Sequence, residues 1–360
     1  MKALPYYIIF QMPVGIIMGY VHGGVLNFMT LAMLFVIIPL LDFFIGITKI
    51  NPDPEEERRL KDSLPHKIVT WLAVPVQVGM VIWGAFTVAH GRMSTLEFVG
   101  FTLSMGCMSG IMGINLSHEL MHRVNNRFEV LLSRIMLWTT GYMHWAIEHV
   151  AGHHRNVATP EDPATARSGE SFYSFWPRTV IGGFTSSWNI EKKRLGRKGI
   201  RIWSSHNRII RYTTAELALL LVFWVLLGPL AAVYFIIQCL VAISLLEVVN
   251  YIEHYGLLRR ELREGVYEPV NVTHSWNSGN ILTNVFLFNL QRHSDHHAEP
   301  NRRYPVLRYF EESPQLPTGY AGMMILALIP PLWRKVMDQP SGKDKGIKSN
   351  IIADAHMDQQ

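Results

Sequence analysis

Eight of the sixteen histidines in this chain of 360 residues fall in three short windows. His118 and His122 lie in HELMH, His149, His153 and His154 in EHVAGHH, and His293, His296 and His297 in LQRHSDHHA. Residues three and four apart share a helix face, so each window can aim imidazoles at one point. Crowding imidazoles disfavours their protonated forms, and a metal ion removes that penalty by taking up the lone pairs. In the second window His149 and His153 are expected on one face, with His154 pointing away. The third window repeats the arrangement with the neighbours His296 and His297. Neighbours aimed to different sides suit two metals better than one, and eight imidazoles exceed what one metal accepts in the usual protein geometries. A ninth candidate is His254 in NYIEHYG, at the end of an apolar segment. His144 and His274 are lesser, structural candidates, and His22, His66, His90, His206 and His356 read as loop or surface residues.

Carboxylates flank these windows. Glu119, Glu148, Glu253 and Asp295 are expected behind the ligands, accepting imidazole N–H groups and offsetting the metal charge. HELMH alone matches the zinc-protease pattern, in which the glutamate is a general base. The many further histidines argue against a three-ligand zinc site. Nitrogen donors with open positions suit iron, copper, nickel or zinc. A site beside a membrane, fed with lipophilic substrate and with electrons, favours iron and dioxygen, with copper as the alternative.

The elements that must position these residues are apolar. Hydrophobic residues make up 49% of the chain and charged residues 17%, and six runs approach the roughly 20 residues that cross a bilayer. They cover about residues 6–22, 25–48, 68–89, 96–116, 213–227 and 230–250. The fold class is therefore an all-α integral membrane protein of six transmembrane helices with a cytoplasmic helical cap that holds a histidine-rich dimetal site. Residues 1–335 form a single domain, with metal-site regions at 117–212 and 251–335, and residues 336–360 read as a disordered tail. Lys49, Arg58, Arg59, Lys61 and Lys67 between the second and third runs place that loop, both termini and every histidine window on the cytoplasmic side. Residues 127–150 read as an interfacial helix that delivers ligands at its end, a seventh span being the competing reading. Residues 319–332 are too short to span and are expected to pack on the membrane surface. Cys107 and Cys239 lie in apolar runs and read as free thiols. The N-terminus shows no cleavage site of a signal peptide. The net charge of +5 sits in loops and suits an anionic membrane surface; no nucleic-acid motif is present.

HELMH, EHVAGHH, NYIEHYG and LQRHSDHHA, in this order and hydrophobic layout, resemble the membrane-bound alkane 1-monooxygenases, as do HHRNVATPEDPATAR, HSWNSGN and LPTGY. The similarity runs to about residue 335. NYIEHYG and LQRHSDHHA separate the chain from the desaturases and sterol or carotenoid hydroxylases that share three histidine boxes. The resemblance implies two non-haem irons held by His118, His122, His149, His153, His154, His254, His293, His296 and His297. It implies conversion of a medium-length n-alkane, with dioxygen and two electrons, to a primary alcohol in a bacterial inner membrane. The donor would be rubredoxin, reduced in turn by an NADH-dependent rubredoxin reductase. Arg155, Lys192, Lys193, Arg197, Arg292, Arg302 and Arg303 are candidates to dock that acidic partner. Gly15 and Gly19 would allow close helix approach, and Leu34, Phe35 and Leu41 would line a substrate channel. A desaturase, or a hydroxylase of another lipid or an alkyl aromatic, is the nearest alternative. A histidine-based metal transporter is disfavoured because the ligands lie at one membrane face.

Overall fold

The computed structural model describes residues 2–338. Among them, six helices are long and apolar enough to cross a membrane: Leu4–His22, Gly24–Ile45, Leu64–His90, Thr95–Met121, Arg208–Leu227 and Pro229–His254. The breaks between them follow local chemistry. Gly23 turns the chain at φ 74° between the first two spans, and Gly228, at φ 91°, precedes Pro229 between the last two. Both glycines adopt a conformation that costs other residues free energy. Ser94 and Glu97 close a reciprocal cap at the start of the fourth span, and Glu97 also accepts the Gly24 N–H. Gly19 lets the first two spans touch, since a Cβ there would lie 2.5 Å from the Leu26 carbonyl oxygen.

Three stretches are wound with the wider turn of a π-helix: Met33–Ile37 in the second span, Ser109–Asn115 in the fourth, and His149–His153. Such turns are rare and concentrate at functional sites. The fourth and sixth spans run past their apolar segments, so His118 and His254 still lie on helix.

Residues 127–150 do not form one helix. Arg127–Thr139 is capped by Asn126, the chain turns at Gly141, and Trp145–Glu148 leads into the π-wound turn. A helix of 13 residues is too short to be a seventh span. The long cap helix, Phe172–Gly196, lies against the sixth span, where Trp176 donates its indole N–H to Ser244 at 3.1 Å.

Near the C-terminus the structure corrects the expectation of surface packing. Tyr320–Ala327 is inserted among the spans, with Tyr320, Met323 and Ala327 fully buried. Its anchor is polar: the Tyr320 hydroxyl donates to Glu253 at 2.9 Å. Pro330–Met337 follows, with Trp333 buried against the rings of Tyr251 and Tyr255. The expected tail thus starts inside a helix, and its remainder lies outside the described residues. His66, read as a surface residue, is buried at the start of the third span, where its ring meets Ser63 at 2.7 Å. His356 also lies outside the described residues.

Candidate metal centre

All nine histidines singled out above converge, and they sort into two groups. His118, His122, His149, His154 and His296 form one, and His153, His254, His293 and His297 the other. Within each group the ligand atoms lie within 4.8 Å of one another. In the first, Nε2 of His149 is 3.0 Å from Nε2 of both His122 and His154, and Nε2 of His154 is 3.1 Å from that of His296. In the second, Nε2 of His293 is 3.2 Å from that of His254 and 2.9 Å from that of His297. A shared proton can join one pair of imidazoles, but it cannot satisfy five lone pairs aimed at one point. The Nε2 atoms of His118 and His153 are buried without a hydrogen-bond partner. Buried polar atoms without partners are costly. Burial, together with like neighbours, drives the imidazoles of His122, His149, His154, His293, His296 and His297 well below their ordinary range. Neutral imidazole is the metal-binding form, so the donor set fits two metal ions.

The backbone decides which histidine joins which group. In the third window, His293 and His297 share one group at the α-helical spacing of four, while His296 turns to the other. The second window departs from the sequence expectation. His149 shares its group with His154, five residues on, and His153 faces the other. The cause is the π-wound turn, in which the His154 N–H reaches back to the His149 carbonyl. Bonds from i to i+5 bring residues five apart onto one face.

The supporting acids also differ from expectation. Asp162, which sequence reasoning passed over, accepts from Nδ1 of His153 at 2.9 Å and from the Thr165 hydroxyl at 2.7 Å. Burial alone would depress the His153 imidazole, but Asp162 outweighs it and holds it above its ordinary value. The signal was local, a carboxylate nine residues past His153 in a proline-flanked turn. Glu253 stands on the inner side, with Oε2 3.2 Å from Nε2 of His293. Glu119 and Asp295 serve arginines instead: Glu119 pairs with Arg123 at 2.9 Å, and Asp295 with Arg308 at 3.0 Å and Arg302 at 3.1 Å. Glu148 has a buried oxygen without a hydrogen bond and is raised to about 8 by burial and by Asp162. His144 and His274 are buried but stand outside both groups.

An apolar cavity ends on His118, His149, His293 and Glu253, and a mostly apolar wall with a few convergent polar groups is usual for small-molecule sites. Leu34 and Phe35 line it, as does Ile38. Leu41 does not: it is 43% exposed on the outer face, and Asp42 is buried instead. The π-wound turn at Met33–Ile37 adds one residue to that helix, so the inward position seven residues after Leu34 passes to the eighth.

Of the expected docking cations, Arg292 is buried and spends its guanidinium on the carbonyls of Leu307 and Ile50. Arg302 and Arg303 are engaged with Glu57 and Glu129. Arg155, Lys192, Lys193 and Arg197 are exposed.

Residues 94–327 match the fatty acid desaturase family. The chain is 44% identical to alkane 1-monooxygenase 1 of Pseudomonas aeruginosa over 319 residues, covering 88% of this chain and 83% of that protein. It is 42% identical to an alkane 1-monooxygenase of Acinetobacter baylyi over 85% of this chain and 75% of that one. The chain belongs to the alkane 1-monooxygenase family. A more distant relative is the hydroxylase component of a Pseudomonas putida xylene/toluene monooxygenase, 29% identical over 96% of this chain and 90% of its own length. Membership makes the protein an enzyme, a histidine-box monooxygenase with six apolar helices suited to a membrane.

Proposed function

We propose that residues 1–335 act as one domain that hydroxylates the terminal methyl of medium-chain n-alkanes in a bacterial inner membrane. The overall balance is R–CH3 + O2 + 2 electrons + 2 protons giving R–CH2OH and water. The observation that carries this reading is the apolar cavity that ends on His118, His149 and His293. The nine histidines would hold two irons, which when bound supply the reductive activation of dioxygen. His118, His122, His149, His154 and His296 would serve one iron, and His153, His254, His293 and His297 the other.

The chain's own residues do the remaining work. The cavity wall excludes water and holds the alkyl chain by contact alone, so only its end reaches the histidines. Terminal selectivity follows from that placement, because a primary C–H bond is stronger than a secondary one and must be favoured by position. Asp162 fixes the ring of His153 through Nδ1 and leaves Nε2 free to bind. Tyr320 donates to Oε1 of Glu253 and keeps Oε2 beside His293.

Electrons would come from rubredoxin, reduced by its NADH-dependent reductase. Exposed Arg155, Lys192, Lys193 and Arg197 support a dock for that acidic protein. The cytoplasmic side is supported by topology, since His118 and His254 lie at the ends of spans that emerge on the side of loop 46–63, which carries Lys49, Arg58, Arg59 and Lys61.

The test uses detergent-purified protein loaded with iron and supplied with rubredoxin, its reductase, octane and labelled oxygen. Two irons per chain and labelled 1-octanol are expected. An unlabelled alkene from an acyl substrate, with no octanol, moves the protein to the desaturases. Redox-silent zinc that iron cannot replace overturns the monooxygenase chemistry.

A further inference from the structure

The helix Arg127–Thr139 and the start of the fifth span, Arg208–Leu227, face each other across an open crevice. Leu131, Arg134, Ile135 and Trp138 line it from the first helix, at the three- and four-residue spacing of a single face. Arg211, Thr214, Ala215 and Ala218 line it from the fifth span with the same spacing. The Trp138 indole N–H joins the two helices by donating to the Ala215 carbonyl at 2.8 Å. Because the chain reverses at Gly228 and Pro229, the start of the fifth span lies on the same membrane side as His254 at the end of the sixth. The crevice therefore sits near the level of lipid headgroups, a depth that suits the amphipathic ring of Trp138.

Two charges in this crevice are unanswered. Arg134 is half-buried, and among the described residues it has neither an ion pair nor a hydrogen bond. Every other half-buried or buried arginine among them is held by a carboxylate or a backbone carbonyl. Arg211, exposed at the rim, is likewise unpaired. No carboxylate lines the crevice, and none lines the adjoining one with which it shares Arg134 and Tyr212. A half-buried guanidinium without a counter-charge is costly, and its planar fork matches a phosphate.

We propose that this crevice binds one anionic glycerophospholipid, its phosphate held by Arg134 and Arg211 and an acyl chain lying on Ile135, Trp138, Ala215 and Ala218. The apolar wall points to a lipid rather than free phosphate, since it runs about 10 Å along the fifth span from Arg211 to Ala218. The charge points to an anionic headgroup. A zwitterionic lipid brings its own ammonium, which two arginines repel, whereas basic pockets between helices select acidic headgroups. The position gives the lipid a structural task. Arg134 also lines the adjoining crevice with Ala146, Ile147 and Val150, the stretch that runs past His149. Met143, just before that stretch, donates its N–H to Glu216 of the fifth span at 2.6 Å. A headgroup that bridges Arg134 and Arg211 therefore clamps the fifth span onto the helix behind the second histidine window. The inference stands on the membrane placement of the helices and is independent of the alkane chemistry.

The experiment uses full-length protein, stripped of lipid in detergent and titrated with dioleoyl phosphatidylglycerol, dioleoyl phosphatidylcholine or inorganic phosphate. Native mass spectrometry counts lipid per chain, and the melting temperature reads stability. Wild type is expected to retain a single phosphatidylglycerol and to melt about 5 °C higher at roughly a hundredfold excess over its dissociation constant. Phosphatidylcholine and phosphate should add nothing. Arg134→Gln with Arg211→Gln is expected to bind phosphatidylglycerol about thirtyfold more weakly. Arg260→Gln with Arg263→Gln removes the same charge from exposed positions elsewhere and should match wild type. Ala218→Trp keeps both arginines but fills the apolar wall; it should weaken the lipid too, and it carries the test if the arginine variant does not fold. Equal affinity in the arginine variant and wild type, or in Ala218→Trp and wild type, marks annular lipid and overturns the site. Phosphatidylcholine that binds as tightly, or inorganic phosphate that raises the melting temperature as much, overturns it as well.

Discussion

The second and third histidine windows each deliver three imidazoles to the same two groups, one pair to one group and a single residue to the other. They do so with different backbones. In His293–Ala298 an ordinary α-helix pairs residues four apart. In His149–His153 a π-wound turn pairs residues five apart, His149 with His154. The supports differ too. Behind the π-wound turn stand the cap helix and Asp162, whereas the α-helical segment is held by Arg302 and Arg308 on Asp295. Spacing along a sequence therefore shows well which histidines converge and poorly how they sort into groups, because the sorting depends on how the turn is wound.

The largest effects come from breaking the pairing itself. His154→Ala and His296→Ala are expected to deplete the same iron, and His153→Ala and His297→Ala the other, each variant falling from two irons to about one per chain. Mössbauer spectra of the residual iron check this, and the pairing by five is broken if His153→Ala and His149→Ala leave the same spectrum. Next in size, Asp162→Asn should weaken metal at the four-histidine group by about 10–100-fold, since it frees the His153 ring. Asp295→Asn, whose carboxylate faces arginines, should instead lower the melting temperature and leave affinity nearly intact. Competitive chelation separates the two.

Smaller effects test the packing behind each turn. A Cβ at Gly152 would lie 2.7 Å from Oε1 of Glu148 and 3.0 Å from the Ser186 hydroxyl on the cap helix. Gly152→Ala is therefore expected to cost about 1–3 kcal/mol in denaturant unfolding. Ser294→Ala in the third window loses one hydrogen bond, to the Ser275 carbonyl, and about 1 kcal/mol. A last effect, confined to acid pH, is a pH dependence of the cap. Burial alone would raise the Glu191 carboxyl, but hydrogen bonds from Arg194 and Arg208 outweigh it and bring it to about 2 from 4.5. A depressed carboxyl contributes stability that is fully present above about pH 4.5 and lost as pH falls towards 2. Glu191→Gln should remove that slope between those values, read as the acid shift in melting temperature.

Much of this was legible in the sequence. Long apolar runs announce spanning helices by composition, because a bilayer demands them whatever the packing. The convergence of the nine histidines was legible because their spacing puts imidazoles of each window on shared helix faces. What remained hidden depended on winding or on distant contacts. The π-wound turns reverse the places of His153 and His154 and turn Leu41 outward, and nothing in residue type marks them. Asp162 was missed because its value lies in a turn that folds it back on His153. Glu119 and Asp295 were misjudged because arginines claim them, Arg123 one turn along for Glu119 and Arg308 across a bend for Asp295. Tyr320–Ala327 looked like a surface helix because its length cannot span, although length does not restrict a helix buried among others.

Both groups draw on residues from widely separated parts of the chain, and this sets a clock on biosynthesis. The five-histidine group begins with His118 and lacks its last member until His296 is made, and the four-histidine group waits for His297. At about 5–20 residues per second, the ribosome leaves His118 waiting on the order of ten to forty seconds for its final companion. Through that interval the nascent chain carries a half-built nest of nitrogen donors at the membrane face, open to whichever cation the cell supplies first.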